Sequence, residues 1–260
     1  MALVELSREG SVATLELNRP EARNALSVDV CDAVVMALAD VARDPQARVL
    51  VISGEGSSFC AGADLAAVSG AEGLHFLPRF ERMLEGIARH RLPTIAAIHG
   101  AALGGGLQLA TVCDFRVATS DATIGIPSAK LGILVNFENI QRLVLLAGVA
   151  VAKQVLMTGR SYTGEEAASA GLVDRAVPAD DLAAAVGDLS GDIAARAPLS
   201  VQGTKRAIQV VVDHLSIDRS RAPDELAEVD RLVEAAYKSR DLQAGIRALR
   251  EKTPPEFQGI

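Results

Sequence analysis

The chain has no tryptophan, and aromatic residues make up only 3% of its 260 positions. Nucleic-acid binding commonly uses aromatic stacking platforms beside a basic stripe. The formal net charge is −7, with both signs interspersed along the chain, so no nucleic-acid partner is expected. Any bound phosphate must be handled by a few local groups. Cysteine is sparse as well. Cys31, Cys60 and Cys113 are odd in number and lack a CxxC spacing, which fits reduced thiols in a cytoplasmic setting and speaks against a disulfide framework or a zinc site. The four histidines, His75, His90, His99 and His214, are scattered without an HExxH pattern, so no metal is expected. MALVELSREG lacks the charged-then-apolar order of a secretory signal. The most apolar windows meet a charge or a glycine before membrane-spanning length, so no membrane insertion is expected.

What is present is apolar: 49% of residues are hydrophobic, enough for one large core or a main domain with an appendage. Residues 2–6 and 11–17 read as strands, and SVATLEL alternates, with Ala13, Leu15 and Leu17 on one side. After NRPEARNAL, Ser27 caps a helix whose inner stripe is Val30, Val34, Leu38 and Val41. RVLVIS and TIAAIHG are apolar strands of the kind buried on both faces. A helix is expected near Asp64 and another over 74–90, with Leu77, Phe80, Leu84 and Ile87 inward. FRVATSDATIG gives two short strands, Thr163 and Glu166 form a capping box for a helix over 164–171, and VDRAVP is a late strand. From about 180 the pattern is helical to the end, and no fixed-period repeat or linker is visible.

Two segments share a design: an apolar strand, a loop of small residues, then a helix start. They are VLVISGEGSSFCAGADL and TIAAIHGAALGGGLQLA. The first amides of a helix lack intrahelical partners and sit in positive dipole potential. Small residues let a ligand approach the backbone. Either loop alone is also explained by tight helix–strand packing; two amides converging on one point would make an oxyanion hole.

NRPEARNAL, FCAGADL and HGAALGGGLQLATVCDFRVA, in that order, resemble the crotonase superfamily of enoyl-CoA hydratases and isomerases over nearly the whole chain. The resemblance implies an α/β fold, a spiral of ββα turns over residues 1–195 carrying an acyl-CoA site. A helical region over 196–260 would serve trimerisation, giving a homotrimer or a hexamer built as a dimer of trimers. It implies a coenzyme A thioester as ligand, with no tightly bound cofactor. The thioester oxygen would lie between the N–H groups of Ala63 and Gly105. The rest of the ligand would pass Ala22, Arg23, Leu26 and Ala61, beside Asp64 and Leu65. Phe257 and Lys252 would help cover the nucleotide of a neighbouring subunit.

The family's hydratases carry two catalytic glutamates. Here Gln108 stands at the first position, in GGGLQ, and Ser128 at the second, in GIPSAKLG. An amide cannot exchange protons, and a hydroxyl is no base without an activator. Gln108 and the GLQLA that holds it resemble a branch of the superfamily thought to hold acyl-CoA without turning it over. The expected function is therefore acyl-CoA binding with weak or absent hydratase activity. The rival is an active hydratase or isomerase using Glu138 or a bound water. Where a further catalytic acid would be expected the chain has Asn136.

Other candidates carry ordinary readings. Asp64 caps a helix, Asp114 is structural, His99 is a satisfied core histidine, Cys60 is packed, and His75 could line an acyl tunnel. Ser128 and Lys130 are a weak dyad candidate. Phe76, Leu77, Phe80 and Leu84 either line an acyl channel or pack the core.

Overall fold

The alternation in SVATLEL seats the first sheet. In β2 (Val12–Leu17), Ala13, Leu15 and Leu17 are buried while their neighbours are half-buried. The structure is a computed structural model and describes residues 2–64, 71–217, 220 and 222–259. β2 pairs antiparallel with β1 (Val4–Glu9) and parallel with β3 (Val49–Gly54), placing Leu15 opposite Ile52. The sheet continues in parallel through β4 (Thr94–Ile98), β6 (Phe115–Thr119) and β9 (Arg175–Val177).

The central strands β3 and β4 are almost wholly apolar because both faces are covered. Leu50 and Ile52 enter the main core, which also holds Val34 and Leu38 of α1 (Val28–Arg43) and Leu84 and Ile87 of α2 (Ala71–Ala88). Val49, Val51 and Ile95 face the other way and pack with Ala185 and Val186 of α6 (Leu182–Ala194). Ser27 caps α1, its Oγ accepting from the Val30 amide at 3.3 Å.

A second, shorter sheet runs β5 (Ala101–Leu103), β7 (Thr123–Gly125), β8 (Ser161–Tyr162). Single parallel bridges, Leu26 to Ala63 and Cys60 to Ala102, extend its layer. Each turn of the chain thus supplies a long strand, a short extended piece and a helix: β2, Leu26, α1; then β3, Cys60–Ala63, α2; then β4, β5, α3 (Gly105–Thr111). This is the spiral of ββα turns. Its period was invisible in the sequence because the extended piece of the first turns is only a bridge or two long.

Three expectations are refined. The helix expected over 74–90 runs Ala71–Ala88, and the one expected near Asp64 falls on residues 65–70, including Leu65, which lie outside the described residues. The capping box at Thr163 is formed, but α5 (Gly164–Ser169) stops two residues short of 171, before Gly171 at φ 75°. And α4 (Phe137–Thr158), with mean hydropathy 1.6, is long and apolar enough by length and composition to cross a membrane. Its 22 residues are broken at Gly148 (φ 79°, ψ 165°), and Leu143, Ala152 and Val155 turn into the core.

The last helices, α7 (Pro198–Leu215), α8 (Pro223–Lys238) and α9 (Arg240–Glu251), return to the spiral. Val233, Tyr237, Leu242 and Ile246 join the main core. Lys205 of α7 donates to Asp114 Oδ2 at 2.7 Å, and Asp114 also accepts from Thr94 N and Oγ1. Asp114 is structural, as its place at the end of the glycine-loop helix indicated.

His90 closes the turn after α2. Its Nε2 faces the Leu38 carbonyl at 3.3 Å and its Nδ1 accepts from the Leu92 amide, which fixes the neutral Nε2–H form. Burial, reinforced by the charge of Lys205, pushes its pKa down to about 4. Between about pH 6.5 and 4 the unfolded chain therefore takes up a proton that the folded chain refuses. The stability is complete above 6.5 and is lost as the pH falls through that window. We expect the urea-unfolding free energy to fall over this range by on the order of 3 kcal/mol more than in a His90→Gln variant, which keeps a donor and an acceptor without titrating. Parallel slopes in the two proteins would refute the assignment.

Candidate functional site

The site forms where the second and third turns of the spiral touch. Leu26 N donates to Gly62 O, and Asp64 N donates to Leu26 O, both at 2.8 Å. This bridge uses the groups on either side of Ala63. Successive amides of an extended chain face opposite ways, so the Ala63 N–H turns away from Leu26. In the next turn Gly104, at φ 53°, is the N-cap of α3, and the first intrahelical bond runs from Gln108 N to Gly104 O at 3.1 Å. The Gly105 N–H therefore has no place in the helix ladder. A Cβ on Gly105 would lie 3.4 Å from Ala63 N, so the two amides are neighbours.

Glycine at 106 makes this approach possible. A Cβ there would come within 2.2 Å of the Cys60 carbonyl oxygen and 2.9 Å of Cys60 Cβ. Only a hydrogen fits between α3 and the Cys60 strand. Leu103 N donates to Cys60 O at 3.0 Å and Cys60 N to Ala101 O at 2.9 Å, locking the two loops in register.

Both amides border a cavity of about 590 Å³. The loop after β2 contributes Ala22 and Arg23, the loop after β3 contributes Ala61, Ala63 and Asp64, and α3 contributes Gly105 and Gln108. Phe76, Leu77 and Phe80 of α2, with Ile133 and Val135, give it an apolar wall. The Phe76 and Phe80 rings stack with centroids 5.3 Å apart. Ser128, Lys130 and Asn136 line another part, and Tyr237 of α8 and Leu249 of α9 complete it.

The loop holding Ala22 and Arg23 is clamped by Asn24. Its Nδ2 donates to the Glu55 and Ser58 carbonyls, and its Oδ1 accepts from the Arg19 amide at 2.9 Å. Arg23 and Asn24 both take positive φ, 50° and 57°. Ala61 N donates to Arg23 O at 2.9 Å, joining the first two loops.

Some expectations are corrected and others stand. Leu26 is fully buried and does not line the cavity; it carries the bridge that orients Ala63. Asp64 does line it, and its carboxylate is paired with Arg19 at 3.4 Å. Glu138 lies in the first turn of α4, which begins at Phe137 rather than near Asn139, and accepts from Asn136 Nδ2 at 3.2 Å. The residue that reaches the cavity there is Asn136. Phe257 is 43% exposed and borders no part of this chain's cavity. His75 is exposed and also away from it. His99 is half-exposed rather than core, with Nε2 3.0 Å from Gly56 O. Cys60 is packed: burial pushes its thiol up to about 12. Ser128 and Lys130 share the cavity wall, but no hydrogen bond joins them among the described residues. Leu84 belongs to the core alone.

Sequence reasoning missed Ile133 and Val135, just past Ser128, and also Tyr237 and Leu249, more than a hundred positions from the glycine loop. The available signal was a single phenol on the apolar stripe Leu226, Val233, Tyr237.

Chemically, two neighbouring amide donors at one end of a largely apolar cavity suit an oxygen that gains negative charge. The sequence matches the enoyl-CoA hydratase/isomerase family over residues 7–259. It is 38% identical over 256 residues to the bovine (Bos taurus) enoyl-CoA hydratase domain-containing protein 2, mitochondrial, covering 95% of this chain and 84% of that protein. It is 36% identical to the crotonyl-CoA hydratase of Syntrophomonas wolfei, covering 97% and 96%. The fold superposes on a methylmalonyl-CoA decarboxylase in complex with 2-nitronate-propionyl-CoA with a TM-score of 0.89, at 26% identity, covering 99% of each chain. Paired amides, ββα spiral and sequence agree: this chain belongs to the enoyl-CoA hydratase/isomerase family.

Proposed function

We propose that the protein binds acyl-CoA thioesters in the cavity beside α3, with the thioester oxygen held by the Ala63 and Gly105 amides, and that it hydrates enoyl thioesters weakly or not at all. The relatives named for CoA thioesters support the ligand class. The observation that carries the second half is the polar lining. Among the described residues, the cavity's one carboxylate is Asp64, and it is paired with Arg19. Gln108, Ser128 and Asn136 stand elsewhere on its wall. Hydration needs one group to take a proton from water and another to deliver one to the α-carbon. Neither an amide nor an unactivated hydroxyl does this near neutral pH, and the loss of general acid–base catalysis is worth about 10² to 10⁴ in rate. The amide pair still polarises the carbonyl, so binding survives the loss.

The exposed apolar residues Leu145, Val149 and Met157 on α4, and Leu199, Ile208 and Val211 on α7, support assembly as a homotrimer or a dimer of trimers. The cysteines Cys31, Cys60 and Cys113 are all free and buried, which suits a reducing cytoplasm.

One paired experiment tests the reading. Calorimetric titration with crotonyl-CoA is expected to show binding, and loss of the conjugated-thioester absorbance in the same batch should run at least about a hundredfold slower than for a two-glutamate relative. Fast hydration overturns the inert-binder reading. If that fast turnover disappears in Glu138→Gln, the acid is Glu138, acting despite its place off the cavity wall.

A further inference from the structure

Three uncharged polar side chains on the cavity wall have no hydrogen-bond partner among the described residues, Gln108, Ser128 and Tyr237, and the charged Arg23 and Lys130 share that wall. Two of them are deeply placed, Ser128 at 9% exposure and Tyr237 at 5%. Among the described residues, the buried side-chain polar atoms lacking both a partner and access are Arg116 Nε and Thr119 Oγ1. The Tyr237 and Ser128 hydroxyls are not of that kind, so they open onto the cavity.

We propose that this chamber selects acyl-CoA thioesters bearing an oxygen on or next to the C3 carbon of the acyl group, a 3-oxo or carboxyl oxygen, and that Tyr237 is the residue that reads it. The inference rests on the acyl-CoA reading above. With the thioester carbonyl at the Ala63 and Gly105 amides, Gln108 lies one turn along α3 from Gly105, a rise of about 4.5 Å. Its amide therefore addresses acyl atoms a few bonds beyond the carbonyl. Ser128 and Tyr237 approach from the segment before α4 and from α8.

The selection follows from desolvation. In the free protein, water satisfies these groups. A plain hydrocarbon acyl chain expels that water and leaves hydroxyl and amide groups facing methylenes, which carries a desolvation cost. An acyl oxygen restores a partner. Sites built to hydrogen-bond a ligand discriminate against an analogue lacking the group far more strongly than apolar pockets discriminate by a methylene. Burial pushes the Tyr237 phenol up to about 12, so it stays protonated and a donor throughout the neutral range. The cavity's one carboxylate, Asp64, is paired with Arg19, so an added ligand oxygen meets no free negative charge among the described residues.

The test is a set of calorimetric titrations with butyryl-CoA, acetoacetyl-CoA and malonyl-CoA, on the full chain and on Tyr237→Phe. That variant keeps the ring and removes a hydroxyl that has no hydrogen-bond partner among the described residues. At least one oxygenated ligand is expected to bind about tenfold or more tightly than butyryl-CoA, and the better of the two identifies a keto or a carboxylate oxygen. In Tyr237→Phe the ratio of dissociation constants should collapse to about two or less. Equal affinities for all three ligands in the unaltered protein overturn the selectivity while leaving acyl-CoA binding intact. An unchanged ratio in Tyr237→Phe overturns the role of Tyr237. Failure of butyryl-CoA itself to bind, alongside the other two, overturns the acyl-CoA reading on which the inference rests.

Discussion

Replacing Gln108 and Ser128 together by glutamate is expected to raise the rate of crotonyl-CoA hydration at least about a hundredfold. Each side chain already lines the cavity, so neither carboxylate would have to be carried in from elsewhere. Gln108→Glu exchanges an amide for a nearly isosteric carboxyl one helical turn from Gly105. Ser128→Glu adds two carbons, and the cavity of about 590 Å³ offers the space. Partial burial and the proximity of a second carboxyl both raise carboxyl pKa values, which moves the pair toward the range where one is protonated and one is not. That division is what water addition requires. Either substitution alone supplies one half of the proton traffic, so each single variant is expected to gain less than about tenfold. The measurement is the decay of enoyl-thioester absorbance in the four proteins, with acyl-CoA affinity determined on the same samples. Retained affinity without a rate gain in the double variant would mean that the cavity's geometry, and not only its side chains, has left hydratase chemistry behind.

How much of this could be read from the sequence depended on range. Ala13, Leu15 and Leu17 declared their face by alternation, and Ser27 and Thr163 declared helix starts, because a strand period and a cap are local. The two glycine loops were legible for the same reason: each is a strand, a small-residue turn and a helix start in under twenty positions. What they do to each other was not. The Leu26–Ala63 bridge joins segments 37 positions apart, and it moved Leu26 from a ligand contact to a support. The pairing of Asp64 with Arg19 spans a similar gap, and nothing in the local sequence around either residue points to it. Tyr237 was hidden twice over. Its spacing on α8 reads as ordinary core, and nothing local says that this stripe closes a cavity begun at residue 22. In α4 the expected interruption by a charge or a glycine does not shorten the apolar run, which is long enough by length and composition to cross a membrane; the break is conformational, at the glycine Gly148.

The second large effect is expected at Gly62, where the geometry of the amide pair is most exposed to a single methyl group. Gly62 sits at φ +106°, a backbone conformation that residues with a Cβ rarely adopt. An added Cβ would lie 2.7 Å from the Leu103 carbonyl oxygen and 3.4 Å from the Gly105 nitrogen. The clash, with Leu103, is with backbone, and no rotamer adjustment relieves it. Strain at such a site and overpacking each cost about 1–3 kcal/mol, so Gly62→Ala should lose about 2–4 kcal/mol in urea unfolding. The protein can lower that cost only by moving the Ala63 strand away from α3. That movement separates the two amides, so acyl-CoA affinity should fall at least about tenfold even in conditions where the variant stays folded. Gly203→Ala supplies the contrast. Gly203 lies inside α7, and a Cβ added there would meet nothing within 4 Å. The same methyl group at that position should raise stability by about 0.5–1 kcal/mol and leave affinity as it was. If Gly62→Ala binds acyl-CoA as tightly as the unaltered chain, the thioester oxygen is not held between Ala63 and Gly105, because no relaxation of this loop leaves both donors where they stand.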